Sequence, residues 1–135
     1  MKKKTYPLVY AGKKQQFARS VVVGDLVFLS GMSGRTMETG DVSSDNVAEQ
    51  MKVALDKIRG ALTEAGTSMD NIVKTVIYLK HVEDYNIMRQ TEREYWQKYA
   101  PSLIEEPPAS TFMQPFSLAR PNMLVEIDVI AMIPG

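Results

Sequence analysis

The chain of 135 residues has no cysteine. That excludes a disulfide framework, a thiolate metal centre and a cysteine nucleophile. It fits a reducing compartment, and a cytoplasmic location is the expectation. Histidine occurs once, at position 81. A histidine-based metal site is therefore not expected, and a serine–histidine pair would rest on His81 alone. His81 stands before Glu83 and Asp84 at the end of an apolar run, where a surface position is the simpler reading. Net charge is lacking as well, since 16 basic and 16 acidic side chains give a formal +0. Nucleic-acid binding needs a clustered basic surface. Here the basic runs are only Lys2-Lys3-Lys4 and Lys13-Lys14, which read as solvated. No apolar stretch approaches the length of a membrane span, and the basic start is not followed by the apolar segment of a signal peptide. Phosphate-binding loop, dinucleotide fingerprint, zinc-helix motif and nucleophile elbow are all missing. No cofactor, no metal, no nucleic acid and no membrane partner are expected.

What is present reads as one domain, residues 1–135, of a size that buries a core without staples. Residues 6–11 look like a short first strand. "ARSVVVGDLVFLSG" (18–31) reads as a hairpin turning at Gly24-Asp25. Residues 32–45 are rich in Gly, Ser and Thr and read as a loop. The apolar period then changes. Val47, Met51, Ala54, Leu55, Ile58, Ala61, Leu62 and Ala65 recur at three and four residues, the mark of an amphipathic helix. Asp45 or Asn46 can cap its start, with Glu49 placed for a capping box to Asn46. Gly66 stands where a left-handed cap wants glycine. Glu49, Lys52, Asp56 and Arg59 read as its solvated face.

"NIVKTVIYLKHV" (71–82) alternates as a strand. A second helix runs from about 84 to 99, with Tyr85, Met88, Thr91, Tyr95 and Tyr99 on its inner stripe and Trp96 extending it. Pro101 ends that region. Residues 105–116 become extended, and Pro115 limits that strand to an edge or an interruption. The last strand covers about 123–132. The order β-β-β-α-β-α-β-β predicts an α/β (α+β) domain with helices on one face of a mixed six-stranded sheet. Nothing in the chain remains to cover the other face, so association of copies is expected.

One feature of the last strand calls for chemistry. In "LVEIDVIAM", Val125, Ile127 and Val129 share one face, while Glu126 and Asp128 sit together on the other. Solvation, or pairing with Arg120 or Lys80, would explain them simply. The alternative is a partly desolvated carboxylate that holds and deprotonates a water.

Four segments in this order and spacing, "VVVGDLVFLSGMSG", "GTSMDNIVKTVIYLKHVEDY", "EEPPAST" and "LVEIDVIA", resemble the reactive-intermediate deaminase (RidA/YjgF) family over residues 6–133. The resemblance implies a chorismate-mutase-like fold. It implies a homotrimer with sheets inside and helices outside, and small-molecule sites in the clefts between subunits. It also implies cofactor-free hydrolysis of enamines and imines to keto acids and ammonia in the deaminating branch. Glu126 matches the residue that positions the attacking water, and Asp128 a common acidic position expected to be structural. Ser30 and Gly31 match the cleft-lining pair. Four positions depart from the family pattern. Ser110 stands where the deaminating branch has an arginine that grips the substrate carboxylate, and Phe112 where cysteine is frequent. Phe17 replaces a tyrosine, and Arg89 replaces an asparagine. A charge-assisted contact of the kind missing at Ser110 contributes roughly 1.5–3 kcal/mol. The 2-imino-acid activity is thus expected to be weak unless Arg89 or Arg19 supplies the positive charge from another direction. Pairing of Arg89 with Glu92 on its own helix is the alternative. Three functions are weighed: a deaminase-like hydrolase with an altered substrate, a non-catalytic ligand-binding or regulatory trimer, and a nuclease. Zero net charge makes the nuclease the weakest.

Overall fold

The computed structural model describes residues 2–135. Strands β1 (Lys3–Tyr10) and β2 (Lys13–Val23) form a hairpin joined at Ala11-Gly12. Both turn residues have positive φ, 50° and 76°, the geometry a two-residue hairpin loop requires. A second hairpin joins β2 to β3 (Leu26–Leu29). The two-residue strand β4 (Met32–Ser33) follows, within the segment expected to be all loop. Helix α1 (Val47–Glu64), strand β5 (Ile72–Leu79), helix α2 (Tyr85–Tyr99) and a one-turn helix α3 (Ser102–Glu105) come next. Strands β6 (Ala109–Met113) and β7 (Val125–Met132) complete the chain. The six strands of the main sheet run in the order β1-β2-β3-β7-β5-β6, and β4 adds a seventh by pairing with β7. Only β5 and β6 pair parallel, so the sheet is mixed as expected.

The first hairpin was only half visible in sequence. Lys13 to Gln16 are polar, and backbone pairing to β1 makes them a strand despite the absence of an apolar alternation. The pairing shifts register so that Tyr6 faces Ser20 and Pro7 faces Ala18. Arg19 is the extra residue of that bulge.

Helix α1 starts where its capping residue predicts. Asn46 Oδ1 accepts the Glu49 N–H at 3.0 Å. The reciprocal half of the box is not formed, because the Glu49 carboxylate accepts the Ser44 hydroxyl instead and Ser44 caps the Asn46 N–H. Gly66 ends the helix at φ +91°. The apolar stripe of α1 packs on Val27, Leu29, Ile77, Ile127, Val129 and Ala131, all buried. Met88, Tyr95 and Trp96 of α2 close the same core. Asp56 and Arg59 are not merely solvated. Tyr95 Oη donates to Asp56 Oδ1 at 2.6 Å and accepts from Arg59 Nε at 3.0 Å, which stitches the two helices together. Pro101 ends α2 as expected, and α3 was too short to carry a periodic signal.

Both main helices lie on one face. The other face of the sheet carries Leu26, Phe28, Met113 and Met132, all exposed. No helix of the described residues is long and apolar enough to cross a membrane.

Candidate functional site

Strand β7 delivers its two carboxylates to the open face. Its burial alternates strictly, with Val125, Ile127, Val129 and Ala131 buried and Glu126, Asp128 and Ile130 half-buried. Glu126 lies beside Tyr78 of β5 and Ser33 of β4, and Asp128 beside Val76. Neither of the bases that could have neutralised the pair does so. The Lys80 ammonium donates to the Pro121 carbonyl, and Arg120 pairs with Asp41 at 2.7 Å. Asp128 instead accepts the Tyr78 hydroxyl at 3.0 Å.

Gly31 allows the carboxylates to come close to the chain. A Cβ built there would lie 2.8 Å from Glu126 Cδ and 3.0 Å from Asp128 Oδ1. A side chain there would have to displace one of the two carboxylates. Beside it the Ser30 hydroxyl donates to the Ala18 carbonyl at 2.5 Å. Glu126, Asp128, Ser30, Gly31 and the exposed Phe17 line one cavity of about 270 Å³. Burial raises the Glu126 pKa above the usual carboxylate range, and the neighbouring Asp128 charge pushes the same way. The Lys57 ammonium opposes both.

Sequence reasoning did not single out the charged and phenolic residues Tyr10, Lys57 and Arg35 of this site, nor Arg120 as a cavity residue. Tyr10, Arg35 and Arg120 line the cavity. Lys57 stands behind it on α1, 6% exposed, and its Nζ donates to the Tyr10 hydroxyl at 2.8 Å. Desolvation lowers its pKa from 10.5 to about 7, with the Arg35 charge acting in the same sense. A signal for Lys57 existed. It falls three residues after Ala54 and four before Ala61, inside the apolar stripe.

The remaining candidates form a second group. Ser110 pairs with Thr75 and Phe112 with Ile77 in the β5–β6 register, so both side chains point to the helix-covered side. Ser110 Oγ accepts from Arg89 Nη2 at 3.1 Å and from Thr75 Oγ1 at 3.1 Å. Arg89 also donates to Tyr85 Oη at 3.1 Å and pairs with Glu92 at 3.0 Å. Phe112 packs edge-on against Tyr85, with ring centroids 5.0 Å apart, and does not line the Glu126 cavity. Within one chain, then, Glu126 with Ser30, Gly31 and Phe17 forms one group, and Ser110 with Arg89 and Phe112 forms another across the sheet. Arg19 joins neither. Its guanidinium packs over Gly60 and pairs with Glu64 at 3.4 Å, because the bulge turns it toward α1.

Comparisons with known proteins agree with this architecture. A family model described as endoribonuclease L-PSP matches residues 11–133. A RutC family protein of Saccharolobus solfataricus is 31% identical over 115 residues, covering 85% of each chain. A human 2-iminobutanoate/2-iminopropanoate deaminase is 29% identical over 86 residues, covering 64% of this chain and 63% of that one. Among solved structures, the YjgF gene product of E. coli superposes with a TM-score of 0.84 at 23% identity, covering 97% of this chain and 99% of that one.

Proposed function

The chain belongs to the endoribonuclease L-PSP family, the family of RidA and YjgF, and from that we propose that it is a cofactor-free hydrolase of enamines and imines. The observation that carries the proposal is Glu126, partly buried, raised in pKa and pressed against Gly31 on the wall of a cavity. A water held by the ionised Glu126 attacks the C=N carbon. The carboxylate takes one proton from the water and passes it to nitrogen, giving a carbinolamine. It then takes the carbinolamine hydroxyl proton and passes that to the amino group as the C–N bond breaks. A carbonyl compound and ammonia leave, and the carboxylate is regenerated. An enamine enters the same path after protonation on carbon gives the imine. Because burial raises the Glu126 pKa, the acid limb of the rate profile falls above the ordinary carboxylate range.

The two residue groups meet if copies associate. We propose a homotrimer in which the open sheet faces, with Leu26, Phe28, Met113 and Met132, pack against one another. The Ser110–Arg89 edge of one copy then completes the Glu126 cavity of the next. In this reading Ser110 stands in place of a substrate-gripping arginine, and Arg89 brings a guanidinium to the same position through its bond to the Ser110 hydroxyl. A bond to Glu92 weakens that charge, which favours a second reading, a ligand-binding trimer without chemistry.

Ammonia release from 2-aminoacrylate and 2-iminobutanoate, generated in situ by a dehydratase, separates the two. The hydrolase reading expects turnover above background, a loss of about 100- to 10,000-fold in Glu126→Gln, and weaker substrate binding in Arg89→Ala. No turnover in the wild type, with ligand binding that Arg89→Ala weakens, puts the binding protein first.

A further inference from the structure

Arg35 is the least committed cation of the Glu126 cavity. It has no carboxylate partner among the described residues, whereas Arg19, Arg59, Arg89 and Arg120 all do. Its Nε donates to the Gly40 carbonyl at 2.7 Å. Its guanidinium carbon stacks 4.1 Å from the centroid of the Tyr10 ring. Arg120 donates to the same Gly40 carbonyl at 3.0 Å, so the two guanidinium groups stand side by side. Backbone and ring thus hold Arg35 in place and leave its two terminal nitrogens for a ligand.

The cavity lining carries both signs, with Glu126 and Asp128 acidic and Arg35 and Arg120 basic. Neither carboxylate forms an ion pair with either guanidinium among the described residues. A guanidinium held rigid with a free edge suits a planar anion, because the two N–H donors match the two oxygens of a carboxylate.

We infer that Arg35 forms a subsite for an acidic group of the substrate, in the cavity that Glu126 also lines. This rests on the hydrolase reading and deepens it. The Arg89–Ser110 edge then serves the carboxylate next to the C=N carbon, and Arg35 serves a second acid at the far end. The preferred substrate class is an imine or enamine of a dicarboxylic acid.

The test compares 2-iminoglutarate, made in situ by D-aspartate oxidase from D-glutamate, with 2-iminobutanoate, made by D-amino-acid oxidase. The expected result is a kcat/KM tenfold to a hundredfold higher for 2-iminoglutarate. In Arg35→Gln the ratio falls toward one, and Arg35→Lys restores part of it. Equal turnover of both imines by the wild type, with a ratio that Arg35→Gln does not move, overturns the subsite and leaves the hydrolase reading standing. If neither imine is hydrolysed, calorimetric titration with 2-oxoglutarate and 2-oxobutanoate decides. Tighter 2-oxoglutarate binding that Arg35→Gln abolishes keeps the subsite while the hydrolase reading fails. Equal binding of the two overturns the subsite as well.

Discussion

The two faces of strand β7 differ in both burial and charge. On one, Val125, Ile127, Val129 and Ala131 are buried under α1, and their neighbours are aliphatic. On the other, Glu126 and Asp128 sit half-buried around a cavity lined by serines, arginines and a glycine. Residues one position apart along the chain therefore have unrelated roles. The covered face holds the fold together by excluding water. The open face keeps charged groups partly desolvated, which costs stability and raises the Glu126 pKa.

The sharpest way to break this division is to change adjacent residues. Ile127→Ala is expected to cost about 2–5 kcal/mol, measured by urea denaturation. Glu126→Gln is expected to leave the denaturation midpoint at or above the wild-type value at neutral pH, because an ionised, partly buried carboxylate is lost. On the hydrolase reading it is expected to remove ammonia release instead. Next comes Gly31→Ala. Its Cβ must displace Glu126 or Asp128, so kcat/KM is expected to fall about tenfold to a hundredfold while the circular-dichroism spectrum stays native. An unchanged rate would mean that the carboxylates need no close fit.

Lys57, buried on α1 behind the cavity, yields a pH signature. Folding lowers its pKa to about 7 from 10.5. Between those values the unfolded chain holds a proton that the folded chain has released, so stability rises with pH across that window and gains nothing further above it. Measured at pH 7 and pH 9, the wild type is expected to gain on Lys57→Met by up to about 1.4 kcal/mol per pH unit. The smallest expected effect is that of Tyr78→Phe on the open face. It removes the hydroxyl bonded to Asp128 and is expected to cost about 0.5–1.5 kcal/mol.

Much of this organisation could be read in the chain itself. Helix α1 announced its period, its Gly66 end and a cap at Asp45 or Asn46, of which Asn46 is the one used, because local spacing determines all three. The alternation of β7 placed the carboxylates on the correct face. The polar start of β2 could not be read, since its strand character comes from pairing to β1 rather than from its own side chains. The site divided in the same way. Glu126, Ser30, Gly31 and Phe17 were identified, and they do share a cavity. Arg35 and Tyr10 were missed because a loop and a distant strand bring them in. Lys57 and Tyr10 bond across 47 positions of sequence, a separation that no local pattern reports. Arg19 looked close to Phe17 in sequence, and a single bulge residue turned it to the other side.

The sheet leaves a face open, yet both of its edges are guarded. β1 carries Pro7 at a register shift and Lys3 and Lys4 at its start. β6 is bracketed by Pro107-Pro108 before it and Pro115 after it. Proline cannot donate to a further strand, and edge lysines repel a second copy in the same register. A strand added at either edge could therefore extend only a short way before meeting a proline or a lysine pair, while the apolar face stays open to a different kind of contact.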